Sequence, residues 1–327
     1  MSAEYVMQAV GTEASIRAAI GIAQAAAIIT LAPLITGVMR KVKARTQKRM
    51  GASIFQPYYD LFKLMKKDEV VSDQSSWVFR SAPWVMIVAT MTAALFIPAF
   101  LPLSPFSSAG DILVVLGLFG LARFFTMLAG LDVASAFGGL GSSREMMISS
   151  LAEPALFLTI FVVSLTLGGT NLSTLVEAAA QSAGIVIAPS MLFGLIAFFI
   201  VVLAETGRLP FDNPATHLEL TMVHEAMVLE YSGKSLAMIQ WSQSIKQLIL
   251  LALLVNLFVP VGMPLSLSHS VWSTLGGVGA FVTKVVILAM LVAFVETRVA
   301  KWRLFRLPDL LAMAIASSMI GVIFHYL

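Results

Sequence analysis

The chain has 327 residues, of which 58% are hydrophobic and only 12% charged, and it contains no cysteine. Soluble domains carry about 25% charged residues, so this is the composition of an integral membrane protein. Lacking thiolates, it forms no disulfide and holds no iron–sulfur cluster or zinc through sulfur. The net charge of +3 comes from clustered basic residues and reads as membrane topology rather than nucleic-acid binding.

In chain order, a slightly acidic lead over residues 1–15 precedes a first predicted span, 16–39, long enough to be a span rather than a cleaved signal. Arg40, Lys41, Lys43, Arg45, Lys48 and Arg49 follow it. Over residues 55–71, Tyr58, Leu61, Phe62 and Met65 share a helical face, away from Lys63, Lys66 and Lys67. This pattern predicts an amphipathic helix in the membrane interface; a basic loop that only fixes orientation is the plainer alternative. Further spans are predicted at 82–101, 112–131, 146–167, 189–205, 236–259, 277–296 and 307–324, about eight in all. The stretch from Asp132 to Arg144, with three glycines, reads as a connector. No repeat or low-complexity linker divides the chain, so a single all-α membrane domain over residues 1–327 is expected.

The connectors after spans one, three, five and seven carry the lysine and arginine clusters. Those after spans two, four and six carry none. The positive-inside rule therefore places the odd-numbered connectors in the cytoplasm and both termini on the other side, as in a multi-pass protein of the cell inner membrane.

Ionisable residues within or beside spans are the first functional candidates: Arg123, Glu153, Lys246, Lys284, Glu205 and Glu296. Each is costly against lipid and is expected to face protein or water. Two readings stand side by side: a proton or ion path, or static buried pairs that lock helices. Residues 204–233 concentrate charge between two apolar runs, with Glu205, Arg208, Asp212, His217, Glu219, His224, Glu225 and Glu230. Glu205 and Arg208 are spaced to pair on a helix end. Pro210 and Asn213-Pro214 mark turns, and a helix is expected to resume near Ala215 and stop at Tyr231–Gly233. On that helix His217 and His224 share a face. Their spacing is not that of a zincin helix, so no metal site is assigned, and no nucleophile stands beside them. Walker A and dinucleotide-binding motifs are absent, so this chain alone is not expected to carry electrons or hydrolyse a nucleotide.

Ala204-Glu205 with Arg208–Asp212 (RLPFD), then Glu219-Leu220 and Glu230–Gly233 (EYSG), resembles the signature of subunit 1 of respiratory complex I, a family shared with bacterial NADH–quinone oxidoreductase. Gln56-Pro57, Asp60, Lys63-Leu64 and Lys67–Glu69 resemble that family's first cytoplasmic loop. The GSSRE run Gly141–Glu145, Glu153-Pro154 and the segment Arg298–Asp309 extend the likeness over nearly the whole chain. Gly130–Asp132 with Phe137 and the GSSRE run is similar to the membrane-bound NiFe-hydrogenase branch, of the formate hydrogenlyase subunit 4 and hydrogenase-4 component C type.

The resemblance implies a membrane subunit that anchors a cluster-bearing hydrophilic arm and links its redox chemistry to H⁺ or Na⁺ movement. Glu205, Arg208, Asp212, His217, Glu219, His224, Glu225 and Glu230 would be chamber or coupling residues. Glu145 and Glu153, with Arg123, Lys246, Lys284 and Glu296, would form an ion path. Arg45, Arg49, Asp60, Lys63, Arg144, Arg298 and Arg303 would dock partners. Implied partners are hydrophilic iron–sulfur and hydrogenase or dehydrogenase subunits, antiporter-like membrane subunits and lipid. Iron–sulfur clusters and a Ni–Fe centre would sit in the partners, with no cofactor or metal in this chain. Where the family has acids three and five residues past the PFD aspartate, this sequence has Ala215 and His217. These departures argue against a standard quinone headgroup, leaving quinone an open alternative. A quinone-site subunit of a NADH–quinone oxidoreductase, a stand-alone ion transporter and a purely structural anchor are the rival readings.

Overall fold

The computed structural model describes residues 3–102, 110–212, 222–264 and 271–327. Its helices are α1 (Ala3–Thr46), α2 (Gln56–Met65), α3 (Trp77–Phe96), α4 (Ile112–Asp132), α5 (Ala136–Leu167), α6 (Leu172–Gln181), α7 (Ala183–Val186), α8 (Pro189–Glu205), α9 (His224–Val228), α10 (Gly233–Phe258), α11 (Val271–Arg298) and α12 (Leu307–Tyr326). A 3₁₀ turn, Leu304–Arg306, precedes α12. Among the described residues there is no strand, only an isolated bridge between Asp111 and Asn171. Seven helices among the described residues are long and apolar enough to cross a membrane. The remaining predicted span, the fifth, is α8, whose 17 residues reach about 25 Å, short of a hydrocarbon core of about 30 Å.

α10 is buried on nearly all sides, as an apolar helix at the centre of a bundle must be. It packs against α1, α2, α3, α8 and α11, while α4 and α5 close the bundle beside α3 and α12 beside α8. The helix ends explain the departures from the expected boundaries. α1 runs through the basic cluster to Thr46. α3 starts at Trp77, where the Ser76 hydroxyl accepts from the Val78 N–H, and ends at Phe96. Ile97, held extended by the following Pro98, stops it. The glycine-rich stretch read as a connector is instead the first turns of α5. Ser135 caps it, and its glycines serve close packing: a Cβ on Gly138 would sit 2.3 Å from the Gly130 carbonyl oxygen. The interfacial helix is shorter than 55–71. After Met65 the chain leaves α2 and is clamped over the start of α10, where Ser232 Oγ accepts from the Val70 N–H at 2.9 Å and donates to its carbonyl at 3.1 Å. On α2 the covered side is Pro57, Tyr58, Leu61 and Leu64, whereas Phe62 and Met65 are exposed. The loop after α5 holds α6 and α7, with Asn171 capping α6.

The two ends of the bundle differ in chemistry. At one end the connectors after α3, α5 and α10 meet. The Gln24 amide oxygen there accepts from the N–H groups of Ala99, Phe100 and Leu101, and Asn256 donates to the carbonyls of Pro98 and Ala99. At the other, the connectors after α1 and α8, with residues of α2, α5, α10 and α11, surround one cavity.

Within α1, Pro33 has no N–H to give the carbonyl of Ile29. Trp241 on α10 supplies the donor, its Nε1–H reaching Ile29 O at 3.1 Å. Tyr58 on α2 donates to the neighbouring Thr30 carbonyl. The proline thus fastens α1 to α10 and α2. Trp241→Phe keeps most of the packing but strands the Ile29 carbonyl. The detergent-solubilised protein should lose about 1–3 kcal/mol of stability, read as a lower thermal midpoint. An unchanged midpoint would show that the contact carries no weight.

Candidate functional site

Arg123 lies just past the middle of α4 and is buried, its side chain 7% exposed. A guanidinium cannot shed its proton in a protein, so this site must be built around a fixed positive charge. Three carboxylates do so. Arg123 contacts Glu205 at the end of α8, Glu153 at 3.0 Å and Glu145 at 3.5 Å, the latter two on α5. Lys246 of α10 reaches Glu205 at 2.8 Å and lies 5.6 Å from the centroid of the Phe119 ring.

Glycines set this geometry. α5 can approach α4 and α9 because Gly130, Gly138 and Gly141 leave no side chain between them; a Cβ on Gly141 would lie 2.9 Å from Ala226 Cβ. That approach brings Glu145 to His224, the first residue of α9, with Nε2 3.5 Å from Glu145 Oε2. Past Glu205 the chain turns at Gly207, in the left-handed region at φ +58°. The imidazole lies against this glycine, where a Cβ would be 2.7 Å from His224 Nδ1. On its other side His224 Nδ1 is 3.4 Å from Asp212 Oδ2. The same oxygen accepts from the N–H groups of Val223 and His224, and Asp212 Oδ1 accepts from Lys301 at 2.7 Å. An ionic chain therefore runs from Glu153 through Arg123, Glu145, His224 and Asp212 to Lys301. It borders a cavity of about 920 Å³, which Arg40, Lys43, Arg49, Glu225 and Thr126 also line.

A second cluster lines the same cavity. Glu296 of α11 contacts Arg208 at 3.5 Å and Lys43 at 3.8 Å, and Arg208 donates to the Gln247 side-chain oxygen at 2.8 Å. The expected Glu205–Arg208 pair does not form, because the Gly207 turn sends Arg208 to Glu296.

The two loop groups are displaced in opposite directions. Burial of Asp212 opposes its charge, but the His224 hydrogen bond and charge, with those of Lys301, hold its carboxyl well below the usual range. Burial of His224 would lower its pKa, yet the Glu145 and Asp212 carboxylates raise it. Because the folded value is raised, protonation of His224 stabilises the fold fully below the unfolded value of about 6.5 and no longer does so once pH rises through the folded value.

The remaining candidates separate by place. Glu225 lines the cavity, and Glu230 is exposed outside the chain of charges. His217 and Glu219, with the helix expected near Ala215, lie outside the described residues. Lys284 stands apart from the chain of charges, donating to the Val259 carbonyl at 3.0 Å beyond the end of α10. Of the docking candidates, Arg45, Arg49, Lys63, Arg298 and Arg303 are exposed, Arg298 lying over the Phe294 ring. Asp60 is engaged by Gln56 and Arg40, and Arg144 by the Met222 carbonyl. Reading the sequence alone omitted Lys43, Gln247 and Lys301 from the site. The helix stop read at Tyr231–Gly233 does fall between α9 and α10, but the packing role of Tyr231 was not read. Tyr231 stacks on Phe79 at 3.9 Å between centroids and donates to its carbonyl, and Gly233, at φ +51°, begins α10. Among the described residues no group of three or more histidines and acids is arranged to hold a metal ion.

Fold and site together define a multi-pass membrane protein with an ionic chain through its helical core. A family model for NADH dehydrogenase matches residues 18–326, and the chain belongs to the NADH dehydrogenase subunit 1 family. It is 34% identical to hydrogenase-4 component C of Escherichia coli K12 over 282 residues, 86% of this chain and 87% of that one. Formate hydrogenlyase subunit 4 of the same organism is 34% identical over 286 residues, 86% and 90% of the two chains. NADH-quinone oxidoreductase subunit 8 of Rhodothermus marinus is 30% identical over 251 residues, 71% and 67%. The fold is shared with a chain of the membrane-bound sulfane sulfur reductase, an archaeal respiratory membrane complex, at TM-score 0.82 and 21% identity over 96% of this chain and 99% of that one. The family read from the RLPFD and EYSG motifs is confirmed, and the hydrogenase-type subunits are among its relatives.

Arg123→Met would leave Glu145 and Glu205 buried without their main counter-charge. It should cost about 3–5 kcal/mol, read as a large drop in thermal midpoint; a small drop would mean that water already solvates these carboxylates. The thermal midpoint should also fall as pH rises through the raised titration of His224, and His224→Gln should flatten that dependence. An identical pH profile in the variant would contradict the assigned shift.

Proposed function

We propose that this chain is the membrane anchor and ion-coupling subunit of a complex I-like oxidoreductase, of the group 4 NiFe-hydrogenase or formate hydrogenlyase type. The hydrogenase-type relatives support the kind of complex. One observation carries the coupling role: the unbroken chain of ionisable groups from Lys301 and Asp212, at the basic end, to Glu153. Glu153 lies about 21 Å from the end of α5 at Leu167, and its side chain is 46% exposed on the bundle's flank. A buried lock would not need an exposed carboxylate at that depth, whereas a path leading to a neighbouring membrane subunit would.

On this reading the basic end faces the cytoplasm. Arg45, Arg49, Lys63, Arg298 and Arg303 meet the hydrophilic iron–sulfur and hydrogenase subunits there, and antiporter-like subunits continue the path from Glu153. Redox centres belong to the partners. A quinone carbonyl would need donors in the cavity, but two of the cations that line it are already paired: Arg208 with Glu296 and Gln247, and Lys246 with Glu205. That pairing supports a hydrated vestibule over a quinone chamber. Each carboxylate of the chain is engaged by a nitrogen cation rather than by a shell of oxygens, which supports H⁺ over Na⁺.

In vesicles holding the whole complex, Glu153→Gln should cut redox-driven proton movement by about 10-fold or more. Full proton movement in that variant, with the complex intact, would reduce the chain to an anchor.

A further inference from the structure

The charges along the ionic chain do not balance unless one proton is added. Glu145, Glu153, Glu205 and Asp212 stand against Arg123, Lys246 and Lys301. Four carboxylates against three cations leave one negative charge, so one exchangeable proton completes the set. Two neighbouring atoms are placed to hold it. Glu145 Oε2 is buried and makes no hydrogen bond. His224 Nε2 stands 3.5 Å away.

From this geometry we propose that His224 is the proton relay between the cavity and the buried chain, with Asp212 positioning it and Glu145 receiving the proton. The proposal rests on the coupling reading above and assigns its entry step. Asp212 is tied to Lys301 and to two backbone N–H groups, so it stays ionised and accepts the His224 Nδ1–H. This fixes the tautomer that leaves the Nε2 lone pair facing Glu145. The ring lines the cavity and its side chain is 24% exposed. In the step, a hydronium ion in the cavity protonates Nε2 and is left as water. The resulting imidazolium then gives that same proton to Glu145 Oε2, forming a neutral carboxylic acid and restoring the neutral ring. The Nδ1 proton does not move. Gly207 permits the arrangement, because a side chain there would push the ring off this line.

The groups that act on His224 are Glu145 from α5, Lys246 from α10 and Asp212 from the connector after α8. Arg123 of α4 lies one contact further on, against Glu145, with Glu205 of α8 against Arg123, Lys301 against Asp212, and Glu225 next to His224 on α9. The carboxylates favour the proton on the ring, and Lys246 opposes it. Loading of the relay should therefore fail as pH rises through the imidazole titration.

The test measures proton movement per electron pair against pH, in vesicles of the whole complex, with assembly checked by co-purification. The wild type should show an alkaline limb set by the imidazole. His224→Gln should abolish that limb and cut proton movement by about 100-fold. Asp212→Asn should shift the limb to lower pH, and it decides the matter where the His224 variant fails to assemble. Glu145→Gln and Glu153→Gln should both stop proton movement. A wild-type profile in His224→Gln, or an unshifted limb in Asp212→Asn, with both Glu variants inactive, overturns the relay and leaves coupling standing. Wild-type profiles in the two Glu variants as well overturn the coupling reading itself.

Discussion

The structure depends on one constraint, a guanidinium that cannot be neutralised buried within a membrane bundle. An unpaired charge there costs several kcal/mol or more, so the helices around Arg123 are arranged to bring carboxylates to it. Glu153 and Glu145 come from α5 and Glu205 from α8, and Lys246 from α10 partly offsets the resulting negative charge. A network of this kind stabilises less than an apolar core of equal volume would, because desolvation offsets much of the attraction. What it provides in exchange is a set of groups whose protonation states depend on one another.

Backbone placement follows from that requirement. Glu145 reaches the network only because α5 begins at Ala136, and α5 can begin there only because Gly130, Gly138 and Gly141 allow three helices to touch. Gly207 plays the corresponding part in the loop after α8. It turns Arg208 toward Glu296 and leaves room for the His224 ring. Two ionic clusters that the chain could have merged are thereby kept separate along the walls of one cavity.

Much of this was legible in the sequence. Long apolar runs mark the helices, and the isolated charges Arg123, Glu153, Lys246 and Glu296 identify the interior, since such residues have few other places to be in a membrane. Their pairings were not legible, because they are set by helix rotation and by distant connectors. Lys301 reaches Asp212 across 89 positions and Lys43 reaches Glu296 from the other end of the chain. The stretch Asp132–Arg144 was misread because glycine runs are ambiguous: the absence of a side chain serves a flexible connector and a tight helix contact equally well. Tyr231 shows the same limit, since its stacking on Phe79 leaves no local trace. The short α8 was read at its observed bounds, 189–205, but its burial against α5 and α12 does not follow from hydropathy alone.

On the proposed coupling, a proton enters this buried chain and resides on a carboxylate during turnover. Redox-difference infrared spectroscopy of the whole complex, with isotope-labelled glutamate, tests it most directly. A protonated-carboxyl band should appear on turnover, shift with the label and vanish in Glu145→Gln. The absence of any glutamate-derived carboxyl band in an active complex, or its persistence in the Glu145 variant, would contradict it.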